Sequence, residues 1–474
     1  MVYAHYTTHY AWRLYPPEHM TTSIHTSPPP PVSFSASLRY WLKLGFISFG
    51  GPAGQIAMMH LELVERRRWI SEQRFLHALN YCMVLPGPEA QQLATYIGWL
   101  MHGVKGGIAA GVLFVLPSLF ILIGLTWVYL AFGHLPVVAG LLYGIKPAVT
   151  AIVLFAAYRI GSRALRSGVL WTIAAAAFVA IFAFDIPFPT IVLAAAVLGM
   201  LGGKYMPGKF RTGGGHGASG QHYGAALIDD DTPTPAHARF SWMQLVTLLM
   251  VGLLLWGGAM LLLSGQTTLY TMGGFFTKAA LVTFDGAYAV LPYVFQGAVE
   301  HYQWLTAHQM IDGLALGETT PGPLIMVVAF VGFIGGWSKA LFGPEALFLA
   351  GAAGAAVATF FTFLPSFVFI FAGGPLIERT HGDIKFTAPL TGITAAVVGV
   401  IVNLAVFFAW HVLWPNGVAT PTHPATLLAG FEWFSALIGI AAFIALFRYK
   451  IGVVPVIAAC AVAGLAYSLI KPLI

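Results

Sequence analysis

From Ala110 to Ala131 the chain runs without one charged side chain. A stretch of that length, at ~1.5 Å of rise per residue, is about what a helix needs to cross a bilayer. Comparable apolar runs recur at 137–157, 169–184, 186–202 and 243–264, and again at 345–372, 386–410, 430–446 and 451–470. Hydrocarbon offers backbone N–H and C=O groups no partner outside the chain, so such runs fold as helices. The residue balance agrees: 58% are hydrophobic and 8% charged, where a soluble domain carries about 25% charged residues. These features predict an all-α integral membrane protein, a polytopic helical bundle with about 9 to 13 membrane segments.

Four further segments are apolar but broken: 44–63, 75–101, 274–295 and 309–335. They reveal an internal repeat. At an offset of 235 residues, Lys43 meets Lys278, Phe49 meets Phe284, Gly51 meets Gly286, Glu65 meets Glu300 and Trp69 meets Trp304. At the same offset Pro86-Gly87-Pro88 meets Pro321-Gly322-Pro323. After an insertion of 13 residues the offset becomes 248, and Leu116-Pro117-Ser118 meets Leu364-Pro365-Ser366, with Gly144-Ile145 meeting Gly392-Ile393. Pro-Gly-Pro at a fixed distance from Trp, then Leu-Pro-Ser, does not recur by chance in apolar sequence.

The expected organisation is a disordered tail at 1–34, a first transporter repeat at 35–202, a flexible polar linker at 203–241 and a second repeat at 242–474 that includes its own leading helix. The tail is polar, holds His5, His9, His19 and His25, and has no apolar core before a cleavage site. The linker contains Gly213-Gly214-Gly215 and Asp229-Asp230-Asp231. Arg66-Arg67-Arg68, Arg159, Arg163, Arg166, Lys204, Lys209 and Arg211 read as cytoplasmic. That requires 75–101 to dip in and return. In the second half the Arg triplet becomes Glu300-His301-Tyr302, while Arg379 and Lys385 appear on a turn that is poor in positive charge in the first half. The single span 243–264 would therefore invert the second repeat, the layout of many secondary transporters.

The breaks carry the chemistry. Phe49-Gly50-Gly51-Pro52-Ala53-Gly54-Gln55 is partnered by Phe284-Asp285-Gly286-Ala287-Tyr288, and Leu85-Pro86-Gly87-Pro88-Glu89-Ala90-Gln91-Gln92 by Glu318-Thr319-Thr320-Pro321-Gly322-Pro323. Pro-Gly-Pro stops a helix, and the chain restarts as a new one with Pro88 or Pro323 at its start. The free N–H groups of the new helix then face the break with a partial positive charge behind them. Two such breaks meeting at mid-membrane would hold a small oxyanion without a catalytic side chain. The alternative is a pair of proline kinks that only help helices pack. Gly50, Gly51, Pro86, Gly87, Pro88, Pro321, Gly322 and Pro323 form the expected backbone of the site, and Gln91, Gln92, Thr319 and Thr320 are uncharged donors beside it.

These motifs resemble the long-chain chromate ion transporter family. Phe49-Gly50-Gly51-Pro52, the run from Glu65 to Trp69 and Pro-Gly-Pro-Glu-Ala-Gln-Gln are similar to its first domain, and Glu318-Thr319-Thr320-Pro321-Gly322-Pro323 to its second. The resemblance covers about residues 35–474 without the linker. It implies a two-domain transporter of the inner membrane that exports chromate, confers chromate resistance and is driven by the proton-motive force. Sulfate, close in shape and charge, is the natural competitor. Asp285 stands where the family usually has Gly, which places a carboxylate near the path.

Ionisable groups at membrane depth are costly and mark function. Glu89 and Glu318 flank the two Pro-Gly-Pro breaks and, with Asp285, are the proton-coupling candidates. His77 and Asp312 occupy matching positions ahead of the breaks, as a proton relay or as helix contacts, and Lys146 precedes Pro147 inside an apolar run, as an anion attractor or a snorkelling lysine. The expected partners are chromate, sulfate, protons and the lipid bilayer, with oligomeric state left open. Nucleic acid is not expected, since the net charge of +6 sits on no soluble basic domain. No cofactor or metal is expected: there is no Walker loop, no His-Glu-x-x-His and no Gly-x-Ser-x-Gly, and Cys82 and Cys460 lie in apolar surroundings. An anion channel, a carrier of sulfate or another oxyanion, and a membrane-embedded reductase are the competing readings.

Overall fold

Apolar runs with small residues and well-placed caps give long helices, and helices carry nearly all of the computed structural model. It describes residues 29–49, 51–210, 223–284, 287–380, 387–415 and 430–470. Ser33 caps α1 (Phe34–Ile47). Beyond the first break, α2 (Gly51–His60) continues as a π-turn, Leu61–Arg66. Ser71 caps α3 (Glu72–Val84). After the first Pro-Gly-Pro, α4 (Glu89–Phe132) bends at His102 and Gly103. Then come α5 (Pro136–Ala164), α6 (Gly168–Phe184) and α7 (Phe188–Tyr205). α8 (Trp242–Leu263) follows and packs on Thr267–Leu281 and Leu347–Thr380 of the second half.

The second repeat follows the same plan. It holds α9 (Thr267–Leu281), α10 (Ala287–Phe295) with a π-turn at Gln296–His301, and α11 (Ala307–Thr319), which Thr306 and Gln309 close with a capping box. After the second Pro-Gly-Pro come a 3₁₀ turn at Leu324–Met326, α12 (Val327–Ser338) and α13 (Leu347–Thr380). The chain closes with α14 (Thr387–Leu413), α15 (Trp433–Phe447) and α16 (Val453–Ile470). Seven of the described helices are long and apolar enough to cross a membrane. The only pairing of strand type among the described residues is an isolated bridge, Ile70 to Ile228.

The repeat holds to the residue. The π-turns at Leu61–Arg66 and Gln296–His301 differ by 235, as do α3 and α11. Arg68 and Gln303 share a positive φ, 52° and 50°. In the first repeat α4 doubles back at its bend, with Gly98 against Gly106 and Ala110. The second makes the same reversal between α12 and α13, with Gly332 against Gly354 and Ala358. The 13-residue insertion falls in that turn. A third offset, 265, relates α6 and α7 to α15 and α16 and matches Asp185 (φ 48°) to Lys450 (φ 53°).

The repeats interlock. α5 packs on α16, and α14 packs on α7. A methyl group at Gly144 would strike the carbonyl of Cys460 and the Cα of Gly464, and one at Gly392 would strike Ala195 and Gly199. By the offsets these are one contact made twice, with the repeats exchanged. Such reciprocity is the mark of a twofold relation. Small residues are what let these backbones approach without a hydrophobic drive from lipid. α8 has no counterpart among the described residues of the first repeat and is nearly bare, with Met243 78% and Leu262 86% exposed, as a lipid-facing helix must be.

Residues 223–241, part of the expected flexible linker, are bound to the first repeat. Leu227 and Ile228 donate to the carbonyls of Arg68 and Trp69. Ser71 donates to Asp230 at 2.5 Å, Arg74 to the carbonyl of Thr232 at 2.6 Å, and Arg68 to that of Ala225 at 3.1 Å. Residues 211–222, and 1–28 of the expected tail with its histidines, lie outside the described residues. The Arg triplet is tied down as well: Arg67 meets Glu62 at 2.7 Å and lies over the rings of Tyr40 and Trp69, and Arg66 meets Glu62 at 3.5 Å.

Arg74 also joins the repeats. Its guanidinium meets Glu378 of α13 at 2.9 Å, with both side chains buried. Tyr96 donates to the other carboxylate oxygen at 2.5 Å. Removing one member of a buried pair strands the other, at a cost of about 3–5 kcal/mol. Arg74→Met should therefore lower the unfolding stability of the purified protein by about that much, and Arg74→Met with Glu378→Met should recover most of the loss. Equal losses in single and double variants would show that the pair does not join the repeats energetically.

Candidate functional site

Each Pro-Gly-Pro break is bound to the other kind of break, the one ahead of Phe49 or Phe284, in the opposite repeat. The Gly87 N–H donates to the Thr283 carbonyl at 2.8 Å, and the Gly322 N–H donates to the Ser48 carbonyl at 2.8 Å. Ser48 is the last buried residue before Phe49-Gly50-Gly51, and Thr283 holds the same place before Phe284. The four breaks thus close on one another in two symmetric couples. Both glycines have a positive φ, 124° at Gly87 and 109° at Gly322, which only glycine adopts readily. Each also lies against the Leu-Pro-Ser of the opposite repeat: a Cβ on Gly87 would sit 2.5 Å from Ser366 Oγ, and one on Gly322 2.7 Å from Ser118 Cβ.

The new helices start into these breaks. In α4 the first intrahelical bond is from Gln92 to the Pro88 carbonyl, leaving the amides of residues 89–91 without a helical acceptor. The 3₁₀ turn at Leu324–Met326 opens the same way, with its first bond from Met326 to Pro323. That turn packs against α4, α10 and α11, so the breaks are neighbours. Gly87, Pro88, Gln91 and Gln92 are buried, as are Thr320, Pro321, Gly322 and Pro323. The region is occluded. Gly51 begins α2 and is half-buried, Pro86 is half-buried, and Gly50 and Asp285 lie outside the described residues.

Three carboxamides line the breaks, all from the first repeat. Gln55 donates to the carbonyl of Gly322 at 2.5 Å and approaches that of Ser48 at 3.3 Å. Gln92 donates to the Pro86 carbonyl at 2.8 Å and lies 3.4 Å from Ser366 Oγ. Gln91 donates to Thr95 Oγ1 at 3.0 Å. All three side chains are fully buried, and the Oε1 of each, like Ser48 Oγ, has no hydrogen-bond partner among the described residues. A buried polar atom left unpaired costs about 1–3 kcal/mol, so each amide has one end to spare for something else. Their repeat mates are Val290, Met326 and Val327. Gln55 stands in the first break motif, yet its contact with Gly322 needs the fold to be seen.

The second repeat supplies the acid. Tyr288 donates to the carboxylate of Glu318, and Arg159 of α5 lies within electrostatic reach of the pair. The repeat mates of Tyr288 and Glu318 are Ala53 and Met83. Glu89 opens α4, where the helix dipole favours a carboxylate. Thr319 and Thr320 spend their hydroxyl protons on their own helix, Thr320 on Leu316 at 2.6 Å and Thr319 on Ala315 at 3.0 Å. They reach the break as acceptors, not as the donors expected of them. Arg159 reads in the sequence as a topology marker, and Tyr288 carries no signal beyond its place after the broken motif.

Comparison with known proteins points one way. A family model described as "Chromate transporter" matches residues 36–200 and 270–465, which leaves out the linker and α8. The chromate transport protein of Pseudomonas aeruginosa is 31% identical over 456 residues, covering 95% of this chain and 96% of that one. The chromate transport protein of Cupriavidus metallidurans is 29% identical over 388 residues, 82% of this chain and 85% of that one. A probable chromate transport protein of Synechococcus elongatus is 27% identical over 80% of this chain and 85% of its own. No solved structure matches.

The twofold coupling makes a direct prediction. Gly87→Ala and Gly322→Ala each force a side chain into a left-handed backbone and against a serine, and each should cost about 1–3 kcal/mol of thermal stability and depress transport. The two losses should be similar. A harmless substitution at either position would show that the breaks are not held to each other.

Proposed function

The chain belongs to the chromate transporter family, and from that premise we propose that it carries chromate out across the cytoplasmic membrane by alternating access around the coupled breaks, conferring chromate resistance. The observation that carries this reading is the pair of helix starts at the breaks, where the backbone amides of residues 89–91 have no helical acceptor and Gln91 keeps a second amide N–H beyond its bond to Thr95. A tetrahedral dianion takes hydrogen bonds on every oxygen, and uncharged donors with partial helix charges hold it without trapping it. The reciprocal couples give a carrier two related arrangements, in which either repeat closes over the site. The occluded region fits a carrier better than an open channel.

Electrical energy favours this direction. Moving one charge through a potential of 100 mV is worth about 2.3 kcal/mol, so a dianion leaving a negative-inside cell gains about twice that. The proton-motive force therefore drives efflux through its potential, and a protonatable group tunes it. Glu318 with Tyr288, and Glu89 at the start of α4, are the carboxylates placed to do so, because their charge changes how well an anion is tolerated nearby. Sulfate competes at the same site, since it offers the same shape and charge.

Everted vesicles given radiolabelled chromate in the medium should take it up in a flux that an uncoupler abolishes and that excess sulfate reduces. Glu318→Gln should alter the pH profile of that flux, because the Glu318 carboxylate accepts the Tyr288 hydroxyl at the break. Chromate movement indifferent to the uncoupler would remove the energetic part of the proposal, and none at all in correctly inserted protein would remove the substrate.

A further inference from the structure

Two polar clusters tie the broken helices to the opposite repeat at equivalent places. At one, Arg74 on α3 meets Glu378 near the end of α13 at 2.9 Å. At the other, Asp312 on α11 meets the end of α4, where Tyr129 donates to its Oδ2 at 2.9 Å, and Lys146 of α5 approaches the same oxygen at 3.6 Å. The offsets relate them: His77 of α3 matches Asp312, and Ile377, whose carbonyl lies 3.4 Å from His77, matches Tyr129. The clusters are alike in place and unlike in make. Both oxygens of Glu378 are taken, by a guanidinium and a phenol. Asp312 is 2% exposed, and its Oδ1 has no partner among the described residues.

We propose that Asp312 is a proton-binding site, and that its protonation unlocks α11 from α5; this rests on the transport reading above. The free Oδ1 accepts the proton, and Oδ2 then loses its pull on Lys146 as the carboxyl becomes neutral. The neighbours from each packed element are few. Lys146 comes from α5, Tyr129 from α4 and His411 from α14, while His308 stands one turn back on α11 itself, with its ring 6.0 Å from that of His411. α12 contributes no titratable side chain, and α16 has only Cys460 and Tyr467, the latter stacked on Tyr143. A lone ammonium at 3.6 Å makes a looser hold than a guanidinium at 2.9 Å, so this is the end that a proton can release. Asp312 lies six residues before Glu318 on α11, about 9 Å along the helix, so motion here is passed to the second break.

Chromate exchange across proteoliposomes with equal pH on both sides tests the lock without a driving force. Wild-type exchange should rise about tenfold from about pH 8 to about pH 5.5, while Asp312→Asn should change less than about twofold and run throughout near the rate of wild type at low pH. Asp312→Glu should restore the dependence. Should Asp312→Asn strand Lys146 and fail to assemble, Asp312→Asn with Lys146→Gln keeps the cluster neutral and should show the same flat profile. A steep profile surviving in these variants overturns the proposal. Infrared spectra of the protein in nanodiscs provide a readout independent of transport: a protonated-carboxyl band growing in as pH falls, missing in Asp312→Asn and shifted in Asp312→Glu. If wild type exchanges no chromate at any pH but keeps that band, the transport reading fails and the proton site stands; if the band is absent, the proton site fails whatever the flux.

Discussion

A helix broken inside hydrocarbon must find partners for the backbone groups it releases, and here each break finds them in the other repeat. The Gly87 N–H bound to Thr283 and the Gly322 N–H bound to Ser48 are two hydrogen bonds of ordinary length. Without them four interruptions would leave donors and acceptors stranded where water is scarce. With them, the interruptions become one connected structure. The glycines follow from this, since no other residue holds the required φ readily. So do the serines of Leu-Pro-Ser, which sit where a larger side chain would push the breaks apart. What reads in sequence as four separate defects is one joint.

Much of this is legible from residues alone, because the features that specify it are few and chemically loud. Pro-Gly-Pro, Trp and Leu-Pro-Ser tolerate little exchange, so their recurrence exposes the repeat and its first two offsets. The third offset was hidden. α6, α7, α15 and α16 are matched by length and by the turns at Asp185 and Lys450, while their Ala, Val and Ile residues interchange freely on a lipid-facing surface. The long-range partners were also out of sight. Nothing in the spelling of Arg74 announces Glu378, which is 304 residues away, and Arg159 looks like any arginine at the end of a span. Thr319 and Thr320 sit where they were expected, but helix geometry claims their hydroxyl protons first.

The twofold plan is strict in backbone and loose in side chains. Carboxamides come from one repeat, and the buried Tyr288–Glu318 pair comes from the other. The clusters at Arg74 and Asp312 differ in the same way. A perfectly symmetric carrier would present the same face to both sides of the membrane and have no built-in preference. Placing different chemistry on equivalent positions keeps the shared mechanics while letting the two arrangements differ in energy.

The exchange of closing helices has a consequence for how the protein is made. Gly144 of α5 waits for Cys460 and Gly464, which lie on the last described helix, α16. Ribosomes release residues in order, so the first repeat stands in the membrane with that groove unfilled until α16 has been synthesised. The second repeat thus completes the first. A chain truncated before α16 would lose a contact surface of the first repeat, not merely its own tail. Two half-length chains supplied separately would each hold the surface that the other lacks.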